Sequence, residues 1–130
     1  MTSRTAIVAL PVSRAEAFAY LADVKNLPGW ATEFARELKV VDGKHKVVNE
    51  LGEFFFEIRA HEETGVIDMY AGPTEDALAL FPTRVVALGE RQSAFVFTMF
   101  QQPGQPDEQF EGQYESLQRE LAIVARRFGG

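Results

Sequence analysis

The stretch DEQFEGQYESLQRELAIVARRF, residues 107–128, decides how this chain folds. Phe110, Tyr114, Leu117, Leu121, Val124 and Phe128 recur at spacings that alternate between four and three. At about 100° per residue they form a narrow stripe on one face of a helix. The ends are marked as well. Pro103, Gly104 and Pro106 interrupt what precedes, and Pro106 suits the entry to a first helical turn. Asp107 and Glu108 lie at the positive end of the helix dipole, Arg126 and Arg127 at the negative end, and Gly129 follows as a C-cap. Such a helix is about 33 Å long and needs an apolar surface to lie on. The segments just upstream of it read as β-structure.

A chain of 130 residues fits one domain, 1–130, with a single core. Eleven Phe, three Tyr and one Trp are an ample supply of rings, either to fill a core or to line a cavity. No cysteine is present, so disulfides, thiol nucleophiles and thiolate metal sites are excluded, which agrees with a cytoplasmic location. A net charge of −6 argues against nucleic acid as a partner. The first residues lack the apolar run of a secretory signal, and no stretch approaches the ~20 apolar residues of a membrane helix, so membrane insertion is not expected.

From the start, Thr5 to Leu10 is β-like and stops at Pro11. Ser13-Arg14-Ala15-Glu16 has the spacing of a capping box and opens a helix to about Asp23. Asn26-Leu27-Pro28-Gly29-Trp30 breaks it, and a second short helix is expected from Pro28 to about Phe34. The period then shifts to two. Glu37–Val41 and Lys44–Val48 flank Asp42-Gly43, a strong hairpin signal. Glu53–His61, Val66–Ala71, Ala77–Leu88 (with Pro82 forcing an edge or a bulge) and Ser93–Gln101 complete six strands before the long helix. An antiparallel meander must bury one face, and the helix supplies the matching stripe. A sheet curled around a single helix often leaves an apolar space between them.

The order of elements and two segments resemble the polyketide cyclase/dehydrase and lipid-transport family of the START-related superfamily. The segments are Pro11–Asp23 (PVSRAEAFAYLAD) and Asn26-Leu27-Pro28-Gly29-Trp30, together with the Pro-Asp-Glu-Gln-Phe start of the last helix. The resemblance covers nearly the whole chain. It implies an α+β helix-grip fold, with about seven curved antiparallel strands in β-α-α-β6-α order wrapped around the C-terminal helix. It carries no catalytic signature, and because members of that family bind, carry or transform many ligands, it implies no single chemistry.

Strand phasing places Phe54, Phe56, Ile58, Ile67, Met69, Phe95, Phe97 and Met99 inside, with Glu53, Glu57, Arg59 and Asp68 outside. With Trp30, Tyr114, Leu117 and Leu121, the candidate pocket lining is Trp30, Phe54, Phe56, Ile58, Met69, Phe95, Phe97, Met99, Tyr114, Leu117 and Leu121. The alternative is that these side chains fill a core at ordinary density. Tyr114 is the polar tip within the stripe, available either to a ligand oxygen or to a backbone carbonyl. Gln113 and Gln118 flank the stripe as further amide candidates. Trp30 is either at the pocket mouth or a packing anchor. Glu108 to Glu120, with Arg119, reads as a solvated helix face, and Ile123 lies off the stripe.

Catalytic signals are thin. His61 and Asp68 form an acid–base pair only if a bulge turns His61 inward; otherwise His61 sits among charges on the outer face. His45 and His61 lack metal-ligand spacing, so neither a metal nor a cofactor is expected. Gly-x-Gly-x-x-Gly is absent. Three functions follow: a carrier or sensor of a small hydrophobic or amphipathic ligand; a cyclase/dehydratase-type enzyme, which needs an inward ionisable group such as His61, Asp68, Arg84 or Glu75; and a protein-interaction module or homodimer using Phe55, Phe100 and Ile123.

Overall fold

A computed structural model describes residues 1–130. The elements are β1 (Ser3–Leu10), α1 (Arg14–Leu21), α2 (Leu27–Trp30), β2 (Glu37–Val41), β3 (Lys44–Asn49), β4 (Gly52–His61), β5 (Val66–Gly72), β6 (Ala79–Phe81), β7 (Thr83–Gly89), β8 (Gln92–Phe100) and α3 (Asp107–Arg127). A single turn of tighter helix, Val24–Asn26, joins α1 to α2. Every strand pairing is antiparallel, and the curved sheet runs β1-β8-β7-β5-β4-β3-β2.

Local chemistry accounts for the boundaries. The Ser13 side chain accepts the Glu16 N–H at 3.1 Å and caps α1. Asp42 and Gly43 both take positive φ, 52° and 79°, as a tight hairpin turn requires. Pro82 divides the expected Ala77–Leu88 strand, so the sheet has eight strands rather than seven. β6 pairs with the end of β5 and β7 with its start. Proline has no N–H for a ladder, but its carbonyl still accepts from Thr98 N at 2.9 Å. Short α2 ends at Trp30, earlier than the expected Phe34, and the chain continues as an irregular loop, residues 31–36.

The inner face of the sheet and the stripe of α3 form the core. Ile67, Met69, Val85, Phe95 and Met99 meet Phe110, Leu117, Leu121 and Val124, all buried. Burial of a side chain of this size is worth about 1.5–3 kcal/mol relative to exposure. α3 packs chiefly on β1 and also touches α2. Phe128 ends the helix and meets the Tyr20 ring edge-on at 5.6 Å. Phe55, Phe100 and Ile123, assigned outward from the sequence, are each half-buried; Ile123 packs on the core and Lys46 lies over the Phe55 ring at 4.5 Å. The large apolar side chains most exposed after Met1 are Ile7, Val40, Leu51 and Leu88.

Candidate functional site

A cavity of about 440 Å³ lies between the inner face of the sheet, α2 with its following loop, and α3. Its floor is apolar. Leu27, Trp30 and Ala31 come from α2 and its exit, Phe56 from β4, Met69 from β5, Phe81 from β6, Phe97 and Met99 from β8, and Leu117 from α3. Alternation along β8 aims Phe95, Phe97 and Met99 to the same side, and Trp30 meets the edges of Phe95 and Phe97 at 5.5 and 6.5 Å. The rim is polar: Glu33 and Arg36 of the loop, Asn49 at the end of β3, Glu50 of the β3–β4 turn, and Arg119 of α3, with the exposed Leu51 among them.

α3 turns a second stripe toward this space. Gln109, Gln113, Ser116 and Glu120 repeat the four-three-four spacing, with Gly112 beside Gln113, and all line the cavity. By the helical period this stripe stands about 100° around from Phe110 and Leu121. Glu120 is its deepest member and is 4% exposed. Its Oε2 accepts the backbone N–H groups of Glu33 at 3.1 Å and Phe34 at 3.0 Å. Its Oε1 makes no hydrogen bond within the protein, and Glu120 is among the residues that line the cavity. Burial pushes the Glu120 carboxyl up to about 7. The nearby Glu33 carboxylate adds to this, while the two N–H groups and Arg119 oppose it. Arg119 is engaged elsewhere, in a two-point pair with Glu33 at 2.9 and 2.7 Å that holds Glu33 below the ordinary carboxylate range. On the other side of the loop, Asn49 Nδ2 donates to Phe34 O at 2.8 Å, and Arg36 stands 3.5 Å from Glu50. The loop is thus tied both to α3 and to the β3–β4 turn.

No family model matches the chain, and no curated protein does. Solved structures do. XoxI from Bacillus cereus aligns over 98% of this chain and 96% of its own, at 13% identity and a TM-score of 0.78. The Zhui aromatase/cyclase of a Streptomyces species aligns over 96% and 89%, at 14% identity and 0.68. A START superfamily protein from Mycobacterium smegmatis aligns over 96% and 97%, at 14% identity and 0.64. The chain has the START-like helix-grip fold. At these identities the likeness speaks for the fold alone.

Within this START-like fold the residues singled out from the sequence divide in two. Trp30, Phe56, Met69, Phe97, Met99 and Leu117 line the cavity. Trp30 is also a packing anchor, 2% exposed, so it stands in the wall and not at the mouth. Phe54, Ile58, Phe95, Tyr114 and Leu121 do not line it. Phe95 and Leu121 are core beneath it, Phe54 packs half-buried on the core, and Ile58 borders a separate depression near His45 and Lys44. Tyr114 falls on the far edge of the apolar stripe. Its Oη donates to the Thr5 carbonyl of β1 at a long 3.4 Å, and Arg4 lies over its ring at 5.7 Å. His61 is exposed, Asp68 pairs in register with Arg59, Arg84 Nε donates to Thr64 O, and Glu75 pairs with Lys44; none reaches the cavity.

Glu120 is the residue that sequence reasoning missed, because Glu108 to Glu120 reads as one charged, solvated face. The signal was the difference between two polar stripes. Glu108, Glu111, Glu115 and Arg119 are charged, whereas Gln109, Gln113 and Ser116 are uncharged and share a face with a glycine. No other acid of α3 lies on that second stripe.

Proposed function

We propose that this protein binds a small amphipathic molecule in the cavity between sheet and α3. The observation that carries the reading is the cavity itself. About 440 Å³ of space stands over an apolar floor and beneath a polar rim, within the range of small-molecule sites. Affinity would come mainly from apolar area, at about 25 cal/mol per Å², and orientation from the α3 polar stripe. An aromatase/cyclase among the neighbours in fold is consistent with a site for a small molecule.

Gly112 provides the test. A Cβ added there meets nothing within 4 Å, and the residue lines the cavity. Gly112→Phe therefore adds a ring to the lining of the cavity without displacing backbone. Nile red titration should show an affinity at least about tenfold lower in Gly112→Phe than in the wild type. Quenching of Trp30, the only tryptophan, should follow the same curve. Identical dye affinity in both proteins would remove this site from consideration.

A second reading, a proton-transfer enzyme, is favoured by one observation. Glu120 lines the cavity with one carboxylate oxygen unbonded, and burial pushes its carboxyl up to about 7, the range that suits an acid–base residue. Its check is loss of deuterium from an α-deuterated aryl ketone, present in the wild type and absent in Glu120→Gln.

A further inference from the structure

The charges around the cavity do not all have partners. Arg119 is paired with Glu33 and Arg36 with Glu50, which leaves Glu120 as the one ionisable side chain of the lining without a countercharge of its own. Its Oε2 is held by two backbone donors, so its direction is set, and Oε1 is left to whatever occupies the space. Five rings, those of Trp30, Phe34, Phe56, Phe81 and Phe97, line the same cavity. Aromatic faces attract cations, and an anionic ligand would meet Glu33, Glu50 and Glu120 while finding both arginines already engaged. Resting on the reading of the cavity as a ligand site, we propose that its ligand is an aryl-alkyl amine. The apolar body lies on the ring-lined floor, and the protonated nitrogen donates to Oε1 of Glu120.

Without a ligand, a buried carboxyl with no countercharge is relieved by taking up a proton, and Glu120 titrates at about 7. An ammonium group supplies the countercharge instead, so binding drives that proton off. The charged groups that act on Glu120 are Arg119 on its own helix and Glu33 from the loop, and Arg36 and Glu50 line the same cavity. Arg119 raises its own pKa by pairing with Glu33 and lowers that of Glu33, so this pair stays charged through the interval in which Glu120 titrates. An aliphatic amine, like a lysine side chain, is protonated throughout as well. Amine affinity therefore rises from about pH 5.5 to about pH 8, and uptake of the amine releases protons.

Phenylbutylamine, phenylbutanol and phenylbutyrate share one body and differ in the head group. Calorimetric titration of the full chain near pH 8 should give an amine affinity about tenfold or more above that of the alcohol, with the carboxylate weakest. Near pH 6, where Glu120 holds its proton in the free protein, the amine should release protons in buffers of different ionisation heat, and the alcohol should not. Glu120→Gln keeps an oxygen for the Glu33 and Phe34 N–H groups, and in it amine and alcohol should bind alike. An amine no tighter than the alcohol, or a preference that survives Glu120→Gln, overturns the proposal while alcohol binding keeps the cavity reading in place. If none of the three binds, the cavity reading falls and this one with it. Should Glu120→Gln lack a folded circular dichroism spectrum, the wild-type pH series decides, and an amine affinity flat in pH overturns the proposal.

Discussion

Two stripes run side by side along α3. One, through Phe110, Leu117, Leu121 and Val124, is buried in the core beside β1. The other, through Gln109, Gln113, Ser116 and Glu120, borders open space. Both repeat at four and three, so periodicity alone does not tell a structural face from a lining face. The difference is chemical. The buried members of the core stripe are groups that gain from losing water, whereas the lining stripe contains groups that need a partner and find part of it in water, the loop or a ligand. Tyr114 and Glu120 show the contrast most clearly. Tyr114 sits at the outer edge of the core stripe with its hydroxyl on a backbone carbonyl, and Glu120 lies deep beside the cavity with one oxygen free.

Substitutions should separate the two stripes. The largest effect is expected at Phe110, 1% exposed: Phe110→Ala should cost about 3–5 kcal/mol in urea unfolding, because it removes a ring from the centre of the core. Next comes Glu120. Its folded pKa of about 7 lies above the unfolded value of 4.5, so the native state binds the extra proton between them. The stability associated with that proton is complete below about pH 4.5 and is lost as pH rises through 7. Glu120→Gln should remove this slope, worth at most about 3 kcal/mol, when unfolding is compared at about pH 5 and about pH 8. A slope unchanged in the variant would place the titration elsewhere.

Smaller effects follow on the lining stripe. Gly112→Ala should raise stability by about 0.5–1 kcal/mol, since glycine is a poor helix former and the space around it is empty. Thermal unfolding measures this, and dye binding should stay close to wild type. The smallest effect is expected for Tyr114→Phe. A long 3.4 Å hydrogen bond at a partly exposed position should contribute less than about 0.5 kcal/mol, and dye affinity should not move. A marked loss of binding in Tyr114→Phe would return the polar handle to the core stripe and undo the comparison.

Much of the fold was legible in the residues. The Ser13 cap, the Asp42-Gly43 turn, the alternation of Phe95, Phe97 and Met99, and the stripe of α3 each rest on local chemistry that needs no distant partner. Pro82 announced an irregularity, but whether it bulges a strand or divides it depended on β5, which pairs with β6 on one side of the break and with β7 on the other. The floor was partly legible for the same reason as the strands: inward phase follows from alternation. Depth did not follow. Phe95 and Phe97 share a face, yet Phe95 is fully buried under Trp30 and Phe97 borders the cavity.

Taken by itself, the sequence determined that a long amphipathic helix closes over an antiparallel meander, because periods of 3.6 and 2 are properties of the backbone and are written directly in the order of side chains. Only the tertiary structure decided which side of that helix faces empty space, and that a loop after α2 brings the Glu33 and Phe34 N–H groups onto Glu120, 87 and 86 residues away. A carboxylate's burial, direction and proton affinity are set by what surrounds it, and here the groups that act on it come from the loop after α2 as well as from α3 itself.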